Sequence, residues 1–179
     1  KQIVFDKTGT LTTGNFKLAE YEKGELTEDQ WKSIVYSLEK YSNHPIAQCV
    51  ASSFKTKDEI KWKSIEEVKG LGMKGEDNDG NIFWAGSYKL AINHSTESLH
   101  NVYILKNDQL IGWIDVEDEL RPEAKEVMQY LKSKGIKTIL LSGDKKEKCV
   151  HIANLLEMDE VFAEQTPEEK LIKIAELNA

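Results

Sequence analysis

The chain has 179 residues, 40% of them hydrophobic and 31% charged, the length and balance of one globular domain or two small ones. Its formal net charge of −7 argues against nucleic acid or an anionic membrane surface as a partner. No apolar run approaches the ~18 residues of a membrane span, the 2 cysteines form no CxxC pair, and the 4 histidines are too scattered for a zinc site.

Ile3-Val4-Phe5 is a β-branched and aromatic run that predicts a buried strand. Asp6 then falls at the strand's carboxyl end, where open α/β sheets present their reactive groups. Gly9, Gly14 and the intervening threonines carry the chain away in a turn-rich loop. A lone strand-end aspartate is usually a solvated loop residue. The unbroken run Asp6-Lys7-Thr8-Gly9-Thr10-Leu11-Thr12 is more specific, and its carboxylate beside Lys7 and several hydroxyls suits a nucleophile that attacks phosphorus. Position 8 holds threonine where a second aspartate would act as general acid and base, so a phosphoenzyme at Asp6 should hydrolyse slowly by itself. The sequence opens inside this strand without an initiator methionine, which suggests a piece cut from a longer protein.

Beyond Gly14, Asn15 to Tyr21 reads as a strand. Thr27 with Gln30 three residues later fits a capping box, and the helix behind it places Trp31, Ile34, Val35 and Leu38 on one face. Pro45 suits the first position of a second helix, which leaves His44 at the corner and Glu39 near the end of the first. A carboxylate and an imidazole so placed could meet an adenine together; equally, a corner histidine could merely cap a helix. Trp62 to Val68 predicts a strand followed by Gly70-Leu71-Gly72-Met73-Lys74-Gly75. The GxGxxG spacing does not open a helix but leads into a hairpin turn at residues 76–81 and strand residues Ile82-Phe83-Trp84, so a dinucleotide-binding reading fails. What survives is a glycine turn that admits a ligand close to the backbone, with Gly86 offering the same from the next strand. Tyr88 to Ile92 reads as a short helix, and residues 102–106 and 110–116 as a hairpin. His94 and His100 read as surface residues.

From about Glu117 the pattern alternates helix and strand. A helix opened by Arg121-Pro122 carries Ala124, Val127, Met128 and Leu131 on one face and ends at Gly135. Residues 136–141 form a mostly apolar strand that leads into Ser142-Gly143-Asp144. A helix with Val150, Ile152, Ala153 and Leu156, a short strand at 161–163 and a helix from Pro167 complete the series.

The motif DKTGTLT resembles the phosphorylation motif of the P-type ATPases, within the wider haloacid-dehalogenase-like group. Glu39, Ser42, His44, Pro45, Gly70, Gly72 and Gly86 resemble the nucleotide-binding domain of the heavy-metal-transporting branch, while Asn43 and Ser87 depart from its pattern. The resemblance implies an α/β fold: a doubly wound parallel sheet formed by residues 1–14 with 117–179 (the phosphorylation domain), interrupted by an α+β antiparallel nucleotide-binding domain at 15–116. It implies that Asp6 accepts the γ-phosphoryl group of ATP, that Lys7 and Thr8 help hold it, and that Asp6 and the Thr8 carbonyl contribute to a Mg2+ site.

It also implies that Ser142 and Gly143 hold phosphoryl oxygens, that Asp144 supports their loop, and that Lys170, in a Pro-x-x-Lys pattern with Pro167, neutralises nucleophile and phosphate. Asp118 and Arg121 would orient the site; Lys145 departs from the family pattern. Glu39, His44, Gly70, Gly72 and Gly86 would bind ATP, and the inserted domain would hinge on its two connecting strands to deliver it.

On this reading the chain is a monomeric cytoplasmic part of an integral membrane protein, in a bacterial plasma membrane, with transmembrane and actuator domains elsewhere in the same polypeptide. The cargo expected is Cu+, with Zn2+ or Cd2+ next. A Gly-Asp-Gly-x-Asn-Asp loop that supplies the principal Mg2+ carboxylate of the family is not in this sequence, so weak Mg2+ binding and little turnover are expected of these residues alone. A free-standing phosphatase and a non-catalytic nucleotide-binding module are the competing readings.

Overall fold

A computed structural model describes residues 1–94 and 100–179. The chain divides into two compact units, one made of residues 1–15 and 118–179 and the other of residues 16–117.

The first unit is built on a parallel three-stranded sheet in the order β1-β8-β9: β1 (Gln2–Asp6), β8 (Lys137–Leu141) and β9 (Glu160–Phe162). Pairing runs from Gln2 opposite Lys137 to Asp6 opposite Leu141, so Asp6 and the residues after Leu141 leave the sheet at the same carboxyl edge. Helices α4 (Ala124–Ser133), α5 (Lys146–Leu155) and α6 (Pro167–Asn178) belong to the same unit. Its core gathers Leu11, Met128, Leu131, Leu140, Cys149 and Leu156. The apolar face of α4 is narrower than its sequence suggests. Ala124, Met128 and Leu131 are buried but Val127 is 42% exposed, and the helix starts at Ala124 rather than at Pro122. Val150 of α5 is likewise partly exposed.

The second unit carries an antiparallel sheet in the order β2-β7-β6-β5-β4-β3. Its strands are β2 (Thr12–Glu22), β3 (Trp62–Val68), β4 (Gly72–Asp77), β5 (Ile82–Gly86), β6 (Val102–Lys106) and β7 (Gln109–Leu120). Both β2 and β7 are longer than expected and run across the boundary between the units. The expected glycine turn is also displaced: Gly72 and Gly75 lie within β4, and the turn itself precedes Gly72. Helices α1 (Glu28–Glu39), α2 (Pro45–Ser53) and the short α3 (Tyr88–Ala91) complete this unit.

The capping box at α1 is present in both halves, Thr27 Oγ1 accepting from the Gln30 N–H and Gln30 Oε1 from the Thr27 N–H. Trp31, Ile34, Val35 and Leu38 are all buried, packed with Phe54, Phe83 and Ile104 in the main core. His100 is not a plain surface residue. Its ring stacks on Trp113 at 3.7 Å between centroids and its Nδ1 lies 2.9 Å from Asp115 Oδ2. Among the described residues, no helix is long and apolar enough to cross a membrane.

Candidate active site

Asp6 sits where β1 gives way to a single wide turn, Lys7–Leu11, closed by the Thr12 N–H onto the Lys7 carbonyl. Its carboxylate oxygens are used unequally. Oδ1 accepts the Lys7 N–H at 2.8 Å and the Lys170 ammonium at 3.1 Å, whereas Oδ2 has no hydrogen bond among the described residues. The side chain is 55% exposed. One oxygen is therefore oriented by two donors while the other faces solvent, the arrangement a nucleophile needs. Lys170 comes from the start of α6, whose first turn is held by a capping box between Thr166 and Glu169 with Pro167 at its opening.

The loop around Asp6 is pinned from several sides. Lys7 is 6% exposed, and its ammonium forms an ion pair with Asp144. Ser142 and Gly143 follow Leu141 at the end of β8, and the Ser142 hydroxyl accepts the Asp144 N–H at 3.1 Å. Thr8 is exposed. Arg121 does not reach toward Asp6 but donates from Nη2 to the Gly9 carbonyl at 3.0 Å, and its N–H donates to the Leu11 carbonyl. Asp118 Oδ2 lies 2.9 Å from the Thr12 hydroxyl, which also accepts the Gly9 N–H. The buried Asp118 Oδ1 has no hydrogen-bond partner among the described residues. Thus Asp6, Ser142 and Gly143 share one sheet edge and Lys170 reaches Asp6 from α6, while Lys7, Asp118, Asp144 and Arg121 brace the loop.

The second unit holds a separate cleft of about 280 Å³. Glu39, His44, Gly70, Gly72 and Gly86 all line it, together with Ser42, Glu67 and Ser87. His44 is the N-cap of α2, its Nδ1 accepting the Ile46 N–H at 3.2 Å. Gly72 and Gly86 are opposed in the β4–β5 register, and a Cβ on either would strike backbone: Ala85 O of β5 from Gly72, and Leu71 O, just before β4, from Gly86. Those glycines are required first by strand contact. Gly70 differs, with φ +79 in a left-handed turn and only the Lys89 ammonium, 4.0 Å away, near its Cβ side. Ser87 ties the turn down by its N–H to Leu71 O and its hydroxyl to Gly70 O.

Glu39 is the most telling group in the cleft. It is 3% exposed, and no described residue donates a hydrogen bond to its carboxyl. Burial, with the nearby Glu67 charge, pushes its pKa up to about 8. A carboxyl so placed on the wall of a cleft is a candidate ligand contact.

Residues 1–179 match the haloacid dehalogenase-like hydrolase family. The chain belongs to that family.

The chain is 33% identical over 99% of its length to the zinc-transporting ATPase of Bacillus subtilis (strain 168), covering 30% of that protein. It is also 33% identical over 98% of its length to the copper-exporting P-type ATPase B of Archaeoglobus fulgidus, covering 27% of it. The chain therefore spans less than a third of the length of these relatives. Its fold superimposes on the catalytic domain of the CPx-ATPase CopB-B with a TM-score of 0.82 and 27% identity, covering 99% of this chain and 68% of that one. A zinc-transporting PIB-type ATPase gives 0.73 and 26%, with coverage of 99% and 31%. Fold and sequence are thus similar to the catalytic domain of CopB-B and to part of copper- and zinc-transporting ATPases.

Two contributors to the candidate sites escaped the sequence reading. Thr12 bridges the Asp6 loop to Asp118 across 106 positions, and only its place at the end of the DKTGTLT run hinted at it. Glu67 lies in a strand whose exposure pattern departs from simple alternation, so no periodicity directs it toward the cleft.

Proposed function

We propose that these residues are the ATP-binding and phosphorylation portion of a heavy-metal-transporting P-type ATPase, with Asp6 as the phosphorylated residue. The observation that carries the proposal is the carboxylate of Asp6, one oxygen held by Lys170 and the Lys7 N–H, the other open. Oδ2 attacks the γ-phosphorus of ATP, the bond from that phosphorus to the bridging oxygen breaks, and ADP leaves with the electron pair. The chain's part is alignment and charge stabilisation, which is most of what phosphoryl transfer requires. Lys170 offsets the charge of nucleophile and phosphate, while Ser142 and Gly143 are placed for the phosphoryl oxygens. Asp118, through Thr12, and Arg121, through the Gly9 carbonyl, keep the loop in one geometry.

The donors fit Mg2+ in kind. The Asp6 carboxylate oxygen that does not attack and the Thr8 carbonyl would be hard oxygen ligands, and Mg2+ characteristically takes one or two carboxylates with phosphate and water completing its shell. No group of three or more His, Cys, Asp or Glu side chains converges among the described residues, so this chain's share of the shell is small. When bound, the ion would neutralise charge on the phosphates.

Thr8 cannot act as the base that releases phosphate, which supports a stored aspartyl phosphate over rapid phosphatase turnover. ATP is held by Glu39, His44 and the Gly70 turn. The complete polypeptide would add membrane and actuator domains, with Cu+ as first cargo and Zn2+ or Cd2+ as the alternative; relatives of both kinds are similar to this chain. Labelling the full-length protein with γ-labelled ATP should give an acid-stable, hydroxylamine-labile product that Asp6→Asn abolishes. Retention of the label in Asp6→Asn would refute the assignment, and rapid turnover of small phosphate esters without metal stimulation would indicate a phosphatase.

A further inference from the structure

Two carboxyl groups face one cleft in the second unit, and their surroundings differ. Glu67, from β3, accepts from the Ser42 hydroxyl at 3.4 Å, and that hydroxyl in turn accepts the His44 N–H at 3.2 Å. Glu39, from the last turn of α1, has no donor among the described residues and is almost wholly removed from solvent. Two like charges in a poorly solvated cleft cannot both be held cheaply, and the one without hydrogen bonds is the one that takes up a proton.

The chemistry of the ligand edge gives this a consequence. Adenine presents an amine donor beside a ring-nitrogen acceptor. An ionised carboxylate has only acceptors, so it pairs with the amine but sets its second oxygen against the ring nitrogen. A neutral carboxylic acid offers one acceptor and one donor, which complements both positions. We propose that Glu39 receives adenine as a neutral acid, and that Glu67 is the positioning residue that keeps it so. This rests on the nucleotide reading given above. The direction of the Glu39 shift agrees with it: burial first, and the Glu67 charge second, raise its pKa.

The other groups that face Glu39 are few. His44 stands at the α1–α2 corner with Nδ1 engaged by the Ile46 N–H, and Lys89 of α3 approaches Gly70. The remaining walls mix apolar Met73, Ala85 and Val102 with the uncharged polar side chains of Ser87 and Asn101.

The test is ATP affinity, measured by calorimetry from about pH 7, where the nucleotide phosphates are largely ionised, to about pH 9. The proteins compared are wild type, Glu67→Gln, Glu39→Gln, Glu39→Ala and His44→Ala, each first shown to be folded by circular dichroism. Wild-type affinity should fall by up to about tenfold per pH unit once Glu39 ionises. In Glu67→Gln the fall should begin at lower pH, because the charge opposing ionisation has gone. A merely structural role for Glu67 would change affinity equally at every pH. In Glu39→Gln, whose amide has a donor and an acceptor but does not titrate, the pH dependence should disappear. Flat or rising wild-type affinity, with binding lost in Glu39→Ala, would overturn the neutral-acid proposal while leaving the nucleotide site in place. ATP binding unaffected by both Glu39→Ala and His44→Ala would remove the nucleotide reading itself, and this proposal with it.

Discussion

Asp6 and Glu39 are both carboxyl groups, and their environments give them opposite chemistry. Asp6 keeps one oxygen in solvent and the other against Lys170, which suits an anion that attacks. Glu39 is buried on the wall of a cleft it shares with Glu67, which suits a proton-carrying group. The same burial predicts a stability signature. The folded-state pKa of Glu39, about 8, lies above its ordinary value of 4.5. Its contribution is therefore fully present below about pH 4.5 and is lost progressively as pH rises through the folded-state value. Glu39→Gln does not titrate, so its stability relative to wild type should rise between about pH 5 and about pH 8, by an amount on the order of a few kcal/mol. Urea unfolding at several pH values measures this, and a difference that does not vary with pH would show that Glu39 ionises normally. Buried Cys149, its thiol pushed up chiefly by burial and its Sγ 3.6 Å from the Asp144 carbonyl, is packing behind the Asp6 loop.

At the scale of elements, the helices follow local rules that the sequence states openly. Thr27 with Gln30 and Thr166 with Glu169 form complete capping boxes, and Pro45 and Pro167 open their helices. The strands obey a less local constraint at the cleft. Gly72 opposite Gly86 lets β4 and β5 approach where any side chain would meet the partner backbone. Gly86→Ala should therefore cost about 3 kcal/mol by overpacking and disturb the Gly70 turn, which Ser87 anchors. Thermal unfolding and ATP titration of the variant check both effects; an unchanged melting temperature would mean that the strands separate there without penalty.

For the whole molecule, the two units have separate cores, one around Trp31 and Ile104 and the other around Leu140 and Met128. All 4 tryptophans, at positions 31, 62, 84 and 113, fall in the unit of residues 16–117. Tryptophan fluorescence should therefore follow the unfolding of that unit alone, while far-ultraviolet circular dichroism follows both. Non-coincident denaturation curves are expected. Superimposable curves by the two probes would mean that the units unfold as one.

The sequence by itself marked the candidate reactive groups and determined most of the elements. DKTGTLT, the His44-Pro45 corner, the Ser142-Gly143-Asp144 run and the Pro167–Lys170 spacing were all legible, because each is a contiguous pattern whose chemistry depends on near neighbours. Helix faces were legible for the same reason, except where one side of α4 or α5 turned to solvent at Val127 and Val150. Tertiary structure alone decided which partners these groups have. Lys7 pairs with Asp144, Thr12 with Asp118, Arg121 with the Gly9 carbonyl, and Glu67 shares a cleft with Glu39. Those contacts depend on strand order and register, which alternation along one strand does not encode. Burial, which sets the charge of Glu39, exists only once distant segments have closed around it.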